Sequence, residues 1–214
     1  WDKVAEDWDT NVLPFKQNIQ IRSRFKYIYE AIPKGSNLVD IGCASGDIFL
    51  DKDYPDITRV DIDNHPKLKN FVQADAHRLP FSDKKFDIAF LGEILEHVKL
   101  PTIVIREAMR VAKKVVFTVP NEHEWTSDMV VPFDTLEDEE KDLGKDRSEI
   151  YKDSDEVIYH KDDNYKHLRH VRWYTEDTLR RDIEMAGAKD YKLHILRFAG
   201  LSYFCGVINA PTVA

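Results

Sequence analysis

The sequence predicts one α/β domain with a mostly parallel sheet. Short apolar runs recur along the chain and end in a small-residue turn or an acidic residue, which is typical of buried parallel strands. Amphipathic patterns over residues 16–32 and 100–112 predict helices that pack on such a sheet. Since 214 residues suffice for a full hydrophobic core, we assign residues 1–214 to a single domain.

The predicted sheet begins with a strand at 37–41 that runs into a turn at 42–46. Small residues in this turn allow the chain to bend sharply and allow a ligand to approach its backbone N–H groups closely. A short helix is expected at 47–50, and a second strand then ends at Asp61. Asp61 lies about 20 residues after Asp40, the spacing at which a strand-end carboxylate binds ribose hydroxyls in nucleotide-binding βαβ units.

The composition of this turn distinguishes between ligands. A dinucleotide site requires a G-x-G-x-x-G pattern that holds a pyrophosphate, whereas the turn here follows an acid-x-G-x-x-x-G pattern. Asp40 would repel a pyrophosphate but can accept hydrogen bonds from an ammonium group. The turn resembles the first motif of the class I S-adenosylmethionine (SAM)-dependent methyltransferases, acid-x-G-x-G-x-G, with Ala44 in place of the middle glycine. This resemblance implies a cofactor site that includes the following residues: Asp40, Gly42, Ala44 and Gly46.

A second stretch, residues 75–87, strengthens this resemblance. It follows a predicted third strand and is similar to the methyltransferase phrase D-A-x-x-L-P-F-x-D-x-x-F-D. The resemblance implies that Asp75 accepts a hydrogen bond from the adenine amino group and that Ala76 donates its backbone N–H to the ring. A carboxylate beside a main-chain N–H is the chemical complement of the donor and acceptor that adenine presents.

Two further phrases extend the implied cofactor site. The acid that ends the second strand matches the family's ribose-binding position, so Asp61 is the expected partner, with Ile62 beside it and Asp63 as an alternative carboxylate. After a predicted fourth strand, residues 93–98 resemble the family phrase x-x-E-x-L-E-H-V, which walls the cofactor and faces the acceptor. The resemblance therefore implies that Glu93 lies at the cofactor.

Three histidines are candidates for the general base that an oxygen acceptor would require. His97 ends the phrase after the fourth strand and would share one face with Glu93 if that segment were helical. His123 follows a predicted fifth strand, and His170 begins a phrase similar to the junction before the last helix of small-molecule and glycan methyltransferases. A purely structural role is the alternative for each histidine. At the end of the insertion, His160, His167 and His170 lie close together in the sequence, but no cysteine accompanies them and their spacing is not that of a structural zinc site, so no metal site is predicted.

Two segments flank the core pattern. Residues 1–34 are assigned to an N-terminal helical cap, which in similar proteins lies over the cofactor, although simple packing on the sheet is an equal alternative. Its basic residues are assigned to a solvated face: Arg22, Arg24 and Lys26. Residues 122–170 form an insertion after the fifth strand, with 13 acidic and 5 basic residues between positions 134 and 163. Such a run is either solvated or part of a lid over the acceptor.

The C-terminal residues complete the implied fold. Thr175 is expected to cap a helix that ends at Ala186-Gly187, and two strands follow at 191–198 and 201–208. The resemblance therefore implies a Rossmann-like class I methyltransferase fold. Its sheet would have seven mostly parallel strands, with an antiparallel strand at the C-terminal end and an insertion after strand five.

The reaction that this resemblance implies is transfer of the SAM methyl group to a small-molecule or glycan acceptor, which leaves S-adenosylhomocysteine (SAH). The net charge of −8 argues against bulk attraction to nucleic acid. No apolar run reaches the length of about 18 residues that a membrane span needs. The alternatives are an RNA or tRNA methyltransferase, a nicotinamide oxidoreductase, and a catalytically silent subunit that requires a partner chain.

The cysteines and the first residues predict the compartment. Cys43 and Cys205 are expected to be free thiols in a reducing environment, because they do not suggest a disulfide framework. Residues 1–7 lack the basic start and apolar stretch of a signal peptide. We therefore expect a cytoplasmic protein, either a monomer or a homodimer.

Overall fold

The computed structural model of the chain describes residues 19–46, 48–124, 170–198 and 201–211. In chain order the helices and strands are α1 (Ile19–Ala31), β1 (Leu38–Ile41), β2 (Thr58–Asp61), β3 (Phe71–Gln73), β4 (Phe86–Gly92), α2 (Pro101–Val111), β5 (Ala112–Pro120), α3 (Glu176–Met185), β6 (Asp190–Phe198) and β7 (Leu201–Asn209). A 3-10 helix, Glu122–Glu124, follows β5. Residues 125–169, which hold most of the predicted insertion, and residues 1–18 of the predicted cap lie outside the described residues.

The strands form one seven-stranded sheet in the order β3-β2-β1-β4-β5-β7-β6. Strands β1 to β5 pair in parallel, and β7 pairs antiparallel with both β5 and β6. The predicted fold class is thus confirmed. Because the strand order reverses between β1 and β4, the carboxyl ends of these strands border a crevice, which is where open α/β sheets bind ligands.

Apolar side chains cover both faces of the sheet, because neighbouring residues of a strand point to opposite faces. Val39 and Ile41 of β1 belong to a buried cluster that includes Leu179 of α3. Leu38 belongs to the cluster on the opposite face, together with Ile28 of α1. The helices α2 and α3 therefore cover one face of the sheet, and α1 covers the other.

The ends of the helices follow from local sequence. Pro101 occupies the first turn of α2, where its missing N–H removes no intrahelical bond. Thr175 caps α3 as predicted: its hydroxyl accepts from the Thr178 N–H, and the Thr178 side chain accepts in return from the Thr175 N–H. Gly187 ends this helix with φ +96°, a conformation that glycine adopts without steric cost. In the described part of the chain, no helix is long and apolar enough to span a membrane.

The prediction of a short helix at 47–50 is wrong. The described residues between β1 and β2 form turns, in which the N–H groups of Asp53 and Tyr54 both donate to the Leu50 carbonyl. Pro55 follows at once and cannot continue a helix, because it lacks an N–H group. The connection between the first two strands is therefore a series of tight turns.

The segment after β4 is also not helical. Residues 93–98 form turns, and Glu93 has φ +52°, which lies in the left-handed region. The next helix begins only at Pro101, because the residue before a proline is disfavoured in the helical conformation. Glu93 and His97 consequently do not share a helix face.

We expect Gly206→Ala in β7 to destabilise the fold by about 1–3 kcal/mol, because the position has no room for a methyl group. A Cβ atom at Gly206 would lie 2.2 Å from Cζ of Phe117 and 2.7 Å from the carbonyl oxygen of Lys192. Urea unfolding followed by circular dichroism measures this loss. Gly187→Ala is the control: its Cβ meets open space, so it should lose only about 1 kcal/mol from its positive φ. Equal stability of Gly206→Ala and the parent would contradict the packing described here.

Candidate functional site

A cavity of about 550 Å³ lies at the carboxyl ends of β1, β2, β3 and β4. Most of the predicted cofactor residues line it: Gly42, Ala44, Asp61, Ile62, Asp75, Ala76 and Glu93. His97 also lines it, whereas Asp40 and Gly46 lie behind its wall in β1 and in the turn that follows. The parallel strands bring these residues together, because their carboxyl ends meet at one edge of the sheet.

The turn after β1 has a backbone that restricts its side chains. Gly42 has φ +75°, and a Cβ there would lie 2.5 Å from Cδ1 of Ile94. Gly46 has φ +73° and would bring a Cβ to 3.0 Å from Leu68. Ala44 also has a positive φ, +44°, but it is exposed, so its methyl group meets no steric obstacle. An alanine in place of the family's middle glycine is therefore tolerated at a cost of about 1 kcal/mol in backbone strain.

The carboxylate of Asp61 is fixed by two backbone donors. The Ala44 N–H donates to Oδ2 at 2.9 Å, and the Asp63 N–H donates to Oδ1 at 3.0 Å. Each oxygen retains a lone pair for a further donor. Asp61 is thus a preorganised acceptor at the cavity wall, connected to the turn after β1.

Asp40 has a different environment. Its side chain is 2% exposed, and no described residue donates a hydrogen bond to its Oδ2 atom. Burial raises the pKa of Asp40 to about 7; the nearby Arg59 guanidinium opposes this rise, and the Asp61 carboxylate adds to it. A cationic ligand group at the neighbouring turn would stabilise the ionised form of Asp40.

Asp75 is held by the residue two positions later. Its Oδ1 atom accepts from the His77 backbone N–H at 2.9 Å and contacts the His77 Nδ1 atom at 2.6 Å. Burial alone would raise the pKa of Asp75, but the hydrogen bonds and charge of His77 outweigh it and lower the pKa below its usual value. Asp75 therefore remains an ionised acceptor at the cavity.

Arg24 pairs with Glu93, which lines the cavity, and its assignment to a solvated face is wrong. Its guanidinium is 3.1 Å from Oε2 of Glu93 and packs over the ring of Tyr203, 4.9 Å from the centroid. Burial by itself would lower the pKa of Arg24, but the Glu93 carboxylate and other nearby groups raise it above its ordinary value. Arg24 lies one helical turn before the buried Ile28 and thus on the same face, and this spacing was the available sequence signal. Lys26 is exposed as predicted, and the side chain of Arg22 lies outside the described residues.

The three candidate histidines occupy different places. His97 lines the cavity, and the ring of His170 lies against it with centroids 4.7 Å apart. His123 is outside the cavity lining and packs edge-on against Trp173 at 6.0 Å. The fully buried Glu96 completes a group with His97 and His170, which the sequence analysis did not bring together.

A family model described as a methyltransferase domain matches residues 16–193 of the chain. The chain belongs to the class I methyltransferase family. The match covers all the strands of the parallel part of the sheet and the whole cavity wall described above. No curated protein matches the sequence.

Solved structures share the fold of this methyltransferase-family chain at low identity. A SAM-dependent methyltransferase from Thermotoga maritima is 12% identical over 97% of this chain and 100% of its own, with a TM-score of 0.56. A Burkholderia thailandensis N1-methyltransferase, solved with 1,6-didemethyltoxoflavin and SAH, is 13% identical over 99% of this chain and 87% of its own, with a TM-score of 0.55. A cyclase is 16% identical over 89% of this chain and 82% of its own, with a TM-score of 0.57. At such identities these structures establish the fold alone.

We expect the Arg24–Glu93 pair to stabilise the contact between α1 and the cavity wall. Arg24→Gln or Glu93→Gln alone should lower the free energy of unfolding by about 2 kcal/mol, because each leaves a largely buried charge uncompensated. The double variant should lose less than the sum of the two, which a double-mutant cycle in urea would measure. The exposed Lys26–Glu30 pair on the same helix is the control and should couple by less than about 0.5 kcal/mol. Additive effects at Arg24 and Glu93 would contradict the ion pair.

We expect Asp40 to make the stability of the ligand-free protein dependent on pH. Its pKa is raised on folding, so its contribution is fully present below the unfolded pKa of about 4 and is lost as the pH rises through about 7. Asp40→Asn should therefore gain roughly 2–4 kcal/mol relative to the parent between pH 4 and pH 7. Urea unfolding across this range measures the difference, with the exposed Asp87→Asn as the control. Parallel stability curves for parent and Asp40→Asn would be the contrary result.

Proposed function

We propose that this protein binds SAM in the cavity and transfers its methyl group to a small-molecule or glycan acceptor. The observation that carries the proposal is the placement of Asp61 and Asp75 on one cavity, at the ends of the adjacent strands β2 and β3. Both carboxylates accept backbone N–H groups, so both are preorganised. Two fixed acceptors on one cavity suit the two polar parts of a nucleoside, its ribose and its base.

The remaining cavity residues fit the same ligand. Ile62 follows Asp61 and is 56% exposed, so its apolar side chain is available to pack against a flat base. Ala76 follows Asp75, which places a backbone N–H beside that carboxylate. Asp40 lies behind the neighbouring turn with a buried oxygen that has no donor among the described residues, and an amino acid's ammonium group at that turn would place positive charge close to it. A Cβ at Gly42 would overlap the side chain of Ile94, and the glycine avoids this overlap.

The chain's part in the reaction is mainly alignment. When bound, SAM supplies a methyl group that is already activated on a positively charged sulfur. The protein must then hold the acceptor in line with that group and exclude competing water. Glu93 and His97 follow β4 and line the same cavity, so they are suited to contact an acceptor. For a hydroxyl acceptor, His97 is the candidate base among the three predicted histidines that lines the cavity.

Two observations support a small acceptor. The Burkholderia relative was solved with 1,6-didemethyltoxoflavin, a small molecule. The net charge of −8 repels the phosphates of an RNA backbone, so an RNA acceptor would have to bind against this repulsion. We retain the expectation of a cytoplasmic monomer or homodimer within this proposal.

Titration of SAM and SAH into the purified protein by calorimetry tests the cofactor site. We expect micromolar binding to the parent and a loss of roughly 10-fold to 100-fold in affinity for Asp61→Ala and for Asp75→Ala, because each removes a hydrogen bond to a charged acceptor. Asp87→Ala is the matched control. Asp87 lies near the start of β4, at the opposite edge of the sheet, and pairs with Lys113 on the surface.

The outcomes separate cofactor binding from catalysis. Absence of SAM and SAH binding in the folded parent would refute the proposal. Equal losses of affinity in Asp61→Ala, Asp75→Ala and the control Asp87→Ala would refute the assigned site. If the cofactor binds, small phenols, amines and sugars are then screened with radiolabelled SAM. Binding without transfer to any acceptor would favour the catalytically silent subunit instead.

A further inference from the structure

A buried carboxylate and two imidazoles meet beside the cavity. Glu96 and His97 lie in the turn after β4, and His170 arrives from the segment before α3. The Val171 N–H donates to the Glu96 carbonyl oxygen at 2.8 Å, so this segment is fixed onto the turn. The rings of His97 and His170 cross at 82° with their centroids 4.7 Å apart. Residues far apart in the sequence are thus held together by a backbone hydrogen bond.

The spacing of this group suits a metal ion. One ligand atom from each of Glu96, His97 and His170 lies within 4.8 Å of the other two. Bonds of about 2.0–2.2 Å to a common ion would bring such atoms to roughly 3.0–3.5 Å from one another. The two imidazoles are partly exposed, so rotation of their side chains is the movement that would close this difference. Among the residues that the structure describes, Glu96, His97 and His170 are the one group of three or more potential metal ligands with this spacing.

The burial of Glu96 favours a cation at this position. Its side chain is 1% exposed, and an ionised carboxylate in such a place is costly unless positive charge lies close to it. Nε2 of His97 is 3.9 Å from Oε1 of Glu96, which is longer than a hydrogen bond but short enough for one ion to contact both atoms. The Arg24 guanidinium interacts electrostatically with Glu96, and a divalent ion held by Glu96 and the two imidazoles would add positive charge beside the same carboxylate.

We propose that Glu96, His97 and His170 bind a divalent transition-metal ion. Two nitrogen ligands and one carboxylate favour ions such as Zn²⁺, Co²⁺ or Mn²⁺ over Mg²⁺ and Ca²⁺, which prefer oxygen ligands throughout. Three protein ligands leave coordination positions open, as in catalytic metal sites. Because His97 lines the cavity, an ion bound to it would lie next to the cavity.

The ion has a direct use if the cavity performs methyl transfer, and this part rests on the proposed function. With the ion bound, His97 is a ligand and does not act as the general base. An acceptor hydroxyl bound to the ion loses its proton to water more readily, because the metal stabilises the resulting oxyanion. A lone pair of that oxygen then forms the bond to the methyl carbon. The carbon–sulfur bond breaks and its electron pair stays on sulfur, leaving SAH and the methyl ether. The substrate class is thus a hydroxyl-bearing small molecule.

Titration of Co²⁺ into the metal-stripped protein tests the site without using enzymatic activity. We expect one equivalent to bind and to give visible absorption bands of a nitrogen- and oxygen-ligated ion. Glu96→Gln, His97→Gln and His170→Gln should each weaken Co²⁺ binding at least 10-fold, because each removes or weakens one ligand. His194→Gln is the matched control. His194 is an exposed residue of β6 that packs against Tyr27, and its replacement should leave Co²⁺ binding unchanged.

Circular dichroism and thermal melting establish that each variant is folded, and Co²⁺ should raise the melting temperature of the parent and of His194→Gln more than that of the ligand variants. Absence of binding at millimolar Co²⁺ overturns the proposal. So does unchanged binding in all three ligand variants. SAH is titrated separately in chelator-containing buffer, so that failure of the metal site is distinguishable from failure of the cofactor site.

Discussion

The cavity depends on the hydrogen bond that the Ala44 N–H donates to the carboxylate of Asp61. This bond connects the turn after β1 with the end of the neighbouring strand β2. It holds the turn after β1 against the end of β2 at 2.9 Å. The same carboxylate accepts from Asp63, so the chain leaving β2 is fixed as well. Ala44 makes this contact with a positive φ of +44°. A polar group that organises the backbone is therefore also the proposed ribose acceptor.

The part of the cavity wall that follows β4 depends on a largely buried ion pair. Arg24 reaches across from α1 to Glu93, which has a positive φ directly after β4. Two residues of that same turn, Glu96 and His97, meet His170 from the C-terminal half of the chain. One turn thus contacts the N-terminal helix and the segment before α3. This side of the cavity is consequently assembled from three separate parts of the chain.

Membership of the methyltransferase family and the chemistry of this chain are separate conclusions. The shared fold explains why strand-end carboxylates meet at one cavity, because parallel strands present their carboxyl ends at one edge. It does not decide the reaction, since a cyclase has the same fold with a TM-score of 0.57. The proposals for the chemistry of this chain rest instead on side chains after β4 and before α3: Glu93, Glu96, His97 and His170.

The sequence by itself determined the order of strands and helices, the cap at Thr175 and the positions of the cavity acids, because these depend on local patterns and on motif spacing. It failed for the short helix expected at 47–50, because the described residues there form turns and Pro55 follows. It also failed for Arg24, because the partner of a buried charge lies far away in the chain. Only the tertiary structure decided that His170 meets Glu96 and His97, since contacts between distant segments arise from packing and not from sequence spacing.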